Sequence, residues 1–330
     1  MNRTARKILL PFAKDSKGDE IHISDAVKGE KYFCPICGEE LVLRISKIPT
    51  GQKGYKKNHF AHKSGNTNAC SETYLHKRTK QKIVGLINDR LSQSVNELKF
   101  CWHCDECGEY HEGNLLKKAV KVVEEHNLTE CIPDIALLDN DDNVVIVIEV
   151  VVTHEPSENA LNFYKNHKIA CLQLMISDFD DCEDIPKRLL SVDKVNICPN
   201  PLCPKCHRRM TRAKMFFIDK PCWKCRNSVR LALIGNSQGL YVDSTGFNSD
   251  EIALANQHGA NIYEVKTREG MLRCYTVCRS CKSYNFTSFD FDQLFDPKTE
   301  TIDLGFKCIG CVCEDKPYSR QSYSRRFLNF

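Results

Sequence analysis

Two acids in this chain stand where acids are energetically expensive. Glu149 is the one charged residue among the ten positions from Val144 to Thr153, in the run VVIVIEVVVT. A carboxylate inside so apolar a strand needs a partner. The preceding CIPDIALLD reads as a second strand, and NDDN between the two reads as a turn. With a two-residue loop at Asp141-Asp142, Asn140 faces Asn143. Counting outward, Asp134 then faces Glu149 on one side of the sheet, with Cβ atoms about 4.5–5.5 Å apart. Like charges at that distance repel unless a cation lies between them. Carboxylates, water and phosphate oxygens are the ligands that Mg²⁺ or Mn²⁺ accepts. Such an ion lowers the pKa of bound water and stabilises charge on a scissile phosphate, so the pair points to metal-assisted phosphodiester hydrolysis.

The elements that must position this pair are legible on either side. SETYLHKRTKQKIVGLINDRL, residues 71–91, spaces Leu75, Ile83, Leu86, Ile87 and Leu91 as a helix would. Glu72, His76 and Lys80 recur every fourth residue and so share one face of that helix. A strand is expected near Leu98–Trp102, a helix over 155–168, and a further strand at IACLQLMIS. In the last third, NSDEIALANQHGA predicts a capped helix with a glycine stop, and ANIYEVKT a strand.

A second chemistry lies in the cysteines. There are twenty, most of them in Cys-x-x-Cys pairs, a spacing that aims two thiolates at one point and suits zinc rather than disulfides. Cys203 and Cys206 are separated from Cys222 and Cys225 by fifteen residues, which predicts one ribbon folded over a short hairpin. Cys278 and Cys281 with Cys308 and Cys311 predict a second, with Cys313 competing for the place of Cys311. At the N-terminal end, Cys34 and Cys37 leave His59, His62 and Cys70 as three candidates for two remaining places. On a strand the two histidines face opposite sides, so they need not both bind. Cys101, Cys104 and Cys107, with His103 and His111 nearby, form a triplet that no second knuckle closes. Cys131, Cys171 and Cys182 read as small buried residues. About three structural zinc ions are expected.

Composition excludes more than it selects. Apolar and charged fractions of 42% and 27% argue against disorder and fibrous classes. No apolar run approaches the roughly 20 residues that cross a bilayer, and no secretory signal is visible. A reducing, cytoplasmic setting without membrane partners is expected. The net charge of +4 is small, but Lys53, Lys56, Lys57 and Lys63, then His76, Lys77, Arg78, Lys80 and Lys82, and then Lys205, Arg208, Arg209, Arg212 and Lys214 cluster as phosphate-binding residues do. The tail adds Arg320, Arg325 and Arg326 among aromatics.

The order helix, strand, Pro133-Asp134 and then Glu149 in an apolar strand resembles the PD-(D/E)XK nuclease superfamily. CPIC, HFAHK, His76-x-x-x-Lys80 and VIEVVVTH narrow the resemblance to the competence protein CoiA-like group over residues 31 to about 176. It implies an α/β, restriction-endonuclease-like α-β-β-β-α-β core at 71–190. A zinc-binding domain at 1–70 and a double zinc-ribbon module at 198–330 flank that core. It also implies a Mg- or Mn-dependent nuclease with Asp134, Glu149, Glu72, His76 and Lys80 in the site, and nucleic acid, DNA rather than RNA, as partner. DNA processing and defence against foreign DNA are both compatible with it. Two departures stand out. Glu149-Val150-Val151 lacks the superfamily's Glu-x-Lys lysine, for which Lys80, Lys77 and Lys165 are candidate replacements. Glu72 and His76 are also one residue further apart than the family pattern. A catalytically silent nuclease fold that binds nucleic acid or a protein is the alternative. The sequence leaves the oligomeric state open.

Overall fold

The computed structural model describes residues 8–63, 67–236, 241–266, 272–285 and 298–308. The fold is mixed α/β with several sheets. It divides into two compact units, Met1–Cys104 with Tyr110–Ile197, and Asp105–Glu109 with Cys198–Phe330.

The first unit takes in both the expected 1–70 module and the expected 71–190 core. Strands β1 (Phe12–Lys14), β2 (Glu20–His22), β3 (Tyr32–Phe33), β4 (Glu40–Arg44) and β5 (His59–His62) form an antiparallel sheet ordered β2-β1-β3-β4-β5. Helix α1 (Thr67–Ser92) follows. Leu75, Thr79, Ile83 and Ile87 are fully buried along it, a four-residue period that makes one face of a helix. Each of the three aliphatic side chains contributes about 1.5–3 kcal/mol by leaving water. Thr79 satisfies its hydroxyl on the Leu75 carbonyl, 2.8 Å away. The neighbouring row on α1 is Glu72, His76 and Lys80.

After the hairpin of β6 (Lys99–His103) and β7 (Tyr110–Asn114) come β8 (Lys121–Glu124), β9 (Ile135–Leu138) and β10 (Val144–Val151), antiparallel in sequence. Next are α2 (Glu158–Asn166), β11 (Ala170–Met175), α3 (Ile185–Leu189) and β12 (Lys194–Val195). Their sheet is ordered β12-β11-β10-β9-β8, with β11 parallel to β10. A parallel pair cannot be joined by a tight turn, and α2 is the crossover it needs. Ser157 caps α2 by accepting from the Ala160 N–H. Ala136, Leu138, Val147 and Cys171 pack with Ala160 and Tyr164 of α2. Val147 and Glu149, two residues apart on β10, therefore share the side that faces this helix.

The second unit holds β13 (Thr211–Pro221), β14 (Ser228–Gly235), β15 (Tyr241–Asp243), α4 (Ser249–Gln257), β16 (Ile262–Lys266), β17 (Leu272–Val277), β18 (Tyr284–Asn285) and β19 (Glu300–Lys307). One sheet runs β15-β14-β13-β19 and another β16-β17-β18. Met215, Phe217, Ile234 and Phe247 share a core with Ile262 and Cys274. A reciprocal capping box between Asn248 and Glu251 starts α4. Among the described residues no helix is long and apolar enough to cross a membrane.

Candidate metal centres and the carboxylate site

Asp134 and Glu149 do meet, by a different turn from the one expected. The loop runs from Asp139 to Asn143. The Asp139 carboxylate accepts from the Asp141 and Asn143 N–H groups, and Asp142 sits at φ 58°. Val144 faces Leu138, and then a bulge at Val145 shifts the pairing by one. Ile146 faces Leu137, Val147 faces Ala136, and Ile148 faces Ile135. The next positions along are Glu149 and Asp134. The longer loop and the bulge cancel, and the acids fall opposite each other as a two-residue loop would have placed them.

Asp134 Oδ2 accepts from the Val150 N–H at 2.9 Å and lies 3.0 Å from His76 Nε2. Lys80, 5% exposed, has its Nζ 2.7 Å from Glu125 Oε1 and 3.8 Å from Asp134 Oδ1. Glu149, 9% exposed, accepts from the Tyr164 hydroxyl at 2.7 Å, and the Asp134 N–H lies 3.5 Å from its other oxygen. Burial holds the Glu149 carboxyl above its ordinary range. The Tyr164 hydrogen bond works against that rise, and the neighbouring Asp134 charge adds to it. Lys80 holds the exposed Glu125 carboxyl below its ordinary range. Glu72 lies further along, accepting from the Thr153 hydroxyl at 3.4 Å.

Three of the α1 and hairpin candidates thus converge with Glu149 close by: Asp134, His76 and Lys80. Of the three lysines considered, Lys80 is the one at the pair, while Lys77 and Lys165 are exposed. Two participants went unread in the sequence. Tyr164 carried a faint signal, as a polar aromatic on the inner face of a short helix. Glu125 carried none, because its place depends on a left-handed backbone at φ 52° and on its N–H bonding the Asp134 carbonyl at 3.1 Å.

Five of the Cys-x-x-Cys pairs make the same local turn. The residue after the second cysteine is left-handed in each: Gly38 at φ 75°, Gly108 at 69°, His207 at 56°, Arg226 at 65° and Lys282 at 60°. That conformation costs the three non-glycine residues roughly 1–2 kcal/mol each, a cost that metal binding would offset.

Cys34, Cys37, His62 and Cys70 bring one donor atom each within 4.8 Å of one another. His62 joins this group. His59, on the opposite side of β5, does not, and its Nδ1 lies 2.9 Å from the Lys57 carbonyl. Cys70, in the first turn of α1, ties the helix to the β3–β4 knuckle.

The expected ribbon pairings are overturned. Cys222 and Cys225 gather with Cys278 and Cys281, and Cys203 and Cys206 gather with Cys308. The segment between Cys206 and Cys222 is not a hairpin but the single strand β13, eleven residues long. At about 3.3 Å per residue it separates its two ends by about 33 Å. β19 runs antiparallel beside it, pairing Thr211 with Lys307, and so returns Cys308 to the first knuckle. Cys311 and Cys313 lie outside the described residues.

Sulfur spacings fit zinc. Cys222–Cys281 and Cys225–Cys278 are 3.6 Å apart, and Cys206–Cys308 3.5 Å, against about 3.8 Å for tetrahedral bonds of 2.3 Å. Each group can hold a metal ion such as zinc. In the first unit Cys104 and His111 bring their donors within 4.8 Å of each other, as Cys107 and Cys198 do in the second. Cys101 joins no group among the described residues, which corrects the triplet expected there.

No family model, curated protein or solved structure matches this chain. The basic clusters, for their part, are partly neutralised internally. Lys57 pairs with Asp180, Lys63 with Glu40, Lys82 with Glu183, Arg209 with Glu106 and Arg212 with Asp303. The basic tail lies outside the described residues.

Proposed function

We propose that the first unit is a metal-dependent nuclease of the PD-(D/E)XK superfamily, resembling the CoiA-like group, that hydrolyses phosphodiester bonds, DNA in preference to RNA. The observation that carries it is the opposed pair Asp134 and Glu149, met by His76 and Lys80 from one helix face. The order α1, β8-β9-β10, α2, β11 supports the same superfamily.

The donors suit a hard divalent cation. Two carboxylates supply oxygen ligands, and a Glu149 whose ionisation is opposed by burial and by Asp134 gains from a positive charge. When bound, Mg²⁺ or Mn²⁺ would supply Lewis acidity toward the phosphate and a water of lowered pKa.

The chain's own groups do the rest. The Val150 N–H and His76 fix the Asp134 carboxylate, and the Tyr164 hydroxyl favours the ionised form of Glu149. Lys80 keeps a fixed positive charge beside Asp134, where it orients an attacking water and favours its loss of a proton. It stands in for the lysine missing from Glu149-Val150-Val151. That absence also favours the alternative, a silent nuclease fold that binds nucleic acid or a protein, because Val150 and Val151 are both buried.

Incubation with single- and double-stranded DNA and RNA, with and without Mg²⁺ or Mn²⁺, separates the two. Metal-dependent cleavage lost in Glu149→Gln supports the enzyme; binding without cleavage under every metal condition supports the alternative.

A further inference from the structure

The second unit carries an aromatic surface that the nuclease does not use. The sheet β16-β17-β18 turns one side to the core, with Ile262, Cys274, Thr276 and Asn285 all buried. Alternation sends Tyr263, Tyr275 and Tyr284 to the other side, one from each strand. Tyr263 pairs directly with Tyr275. Tyr284 pairs with Val277, two residues further along β17, and its ring centroid lies 5.4 Å from that of Tyr275. Trp223 extends the row from the neighbouring knuckle, its indole N–H donating to the Tyr284 carbonyl at 2.7 Å. Tyr263 is 57% exposed, Tyr284 42% and Trp223 63%. Single exposed aromatics need no explanation, but a row of them marks an interaction surface.

Charge identifies the partner. Lys224 and Arg226 flank Trp223 on its knuckle, Lys282 precedes Tyr284 on the other, and Arg273 lies two residues from Tyr275 on the same side of β17. All four are exposed, and among the described residues none has an acidic partner. Of the clusters expected from sequence to hold phosphate, Lys57, Lys63, Arg78, Lys82, Arg209 and Arg212 are instead ion-paired. The segments Lys220–Arg226 and Leu272–Asn285 contain cations and no acid. Exposed aromatic rings, interleaved with cations that have no acidic partner among the described residues, match unstacked bases joined by phosphates. In a duplex the bases are stacked on one another and cannot reach the rings.

We propose that Trp223, Tyr263 and Tyr284, with Lys224, Arg226, Arg273 and Lys282, form a binding site for single-stranded nucleic acid. The site lies wholly in the second unit and does not depend on hydrolysis elsewhere in the chain.

Fluorescence anisotropy tests it on the full-length, zinc-loaded protein, with no divalent metal added beyond the bound zinc. The probes are labelled oligo-dT and oligo-rU of about twelve nucleotides and a DNA duplex of the same length. Single strands are expected to bind at least about tenfold more tightly than duplex, and the dT and rU arms decide which sugar is preferred. Trp223→Ala and Tyr263→Ala should each weaken single-strand binding roughly five- to hundredfold while keeping its salt dependence. Trp223→Phe should retain more affinity than Trp223→Ala. Lys224→Ala should make the salt dependence shallower by about 0.7 in log–log slope.

Zinc content and melting temperature check the fold of each variant. Should Trp223→Ala lose zinc, Tyr263→Ala decides, since its ring stands outside the core. Wild-type affinity in folded aromatic variants, equal affinity for duplex and single strands, or no binding of any oligonucleotide would overturn the proposal.

Discussion

Replacing Cys222 and Cys278 together by serine distinguishes the interleaved metal groups from pairings in sequence order. If neighbouring knuckles shared a metal, the double variant would damage two sites. In the structure both cysteines belong to one group, so one zinc ion per chain should be lost and no more. The geometry leaves little latitude. β13 puts about 33 Å between Thr211, on the side of Cys206, and Pro221, next to Cys222, whereas ligands of one zinc lie within about 4 Å of each other. Cys206→Ser with Cys222→Ser, neighbours in sequence, should conversely cost two ions. Native mass spectrometry of anaerobically purified protein counts them directly. Each thiolate site contributes free energy on the scale of about 10–16 kcal/mol in small zinc domains, so limited proteolysis should show the second unit cut first in both variants. Loss of two zinc ions from the Cys222/Cys278 variant would refute the interleaving.

The carboxylate site gives three further predictions. Lys80→Ala should lower the cleavage rate at least about tenfold, some 1.4 kcal/mol of transition-state stabilisation, with little change in DNA affinity. Lys77→Ala and Lys165→Ala, both at exposed positions, should stay near wild type in the same single-turnover assay. Glu149→Gln should raise the melting temperature of protein free of divalent metal at neutral pH. The native carboxyl is held above its unfolded value, so its contribution favours the fold at low pH and is lost as pH rises through the native pKa. The gain from Gln should therefore shrink on acidification, and a gain that grows toward acid would contradict the sign. Tyr164→Phe removes a donor that favours ionised Glu149, so the acid limb of the pH–rate profile should move to higher pH.

What the sequence disclosed depended on how local the cause was. The opposition of Asp134 to Glu149 followed from alternation and a turn signal, although the turn and the Val145 bulge were both unforeseen and happened to compensate. Helix α4 was announced by its own cap, Asn248 with Glu251. Each knuckle was legible because its geometry is set within five residues. Partner choice between knuckles was not. It depends on whether the fifteen residues after Cys206 fold back or run straight, and MFFI suits either a hairpin arm or the middle of a strand buried on both sides. Tyr164 and Glu125 reach the site through a helix packed on the sheet and a left-handed backbone, neither of which leaves a motif. The aromatic row was invisible for a similar reason. Trp223, Tyr263 and Tyr284 are distant in the chain and share a surface only after β16, β17 and β18 pair.

The most direct test of the nuclease assignment is cleavage by the wild type and by Asp134→Asn and Glu149→Gln, purified side by side, with Mg²⁺ or Mn²⁺ titrated from zero. The proposal predicts metal-dependent hydrolysis of DNA by the wild type and its loss in both variants, with zinc content unchanged. Equal cleavage by all three proteins, or no cleavage by the wild type at any metal concentration, would contradict it.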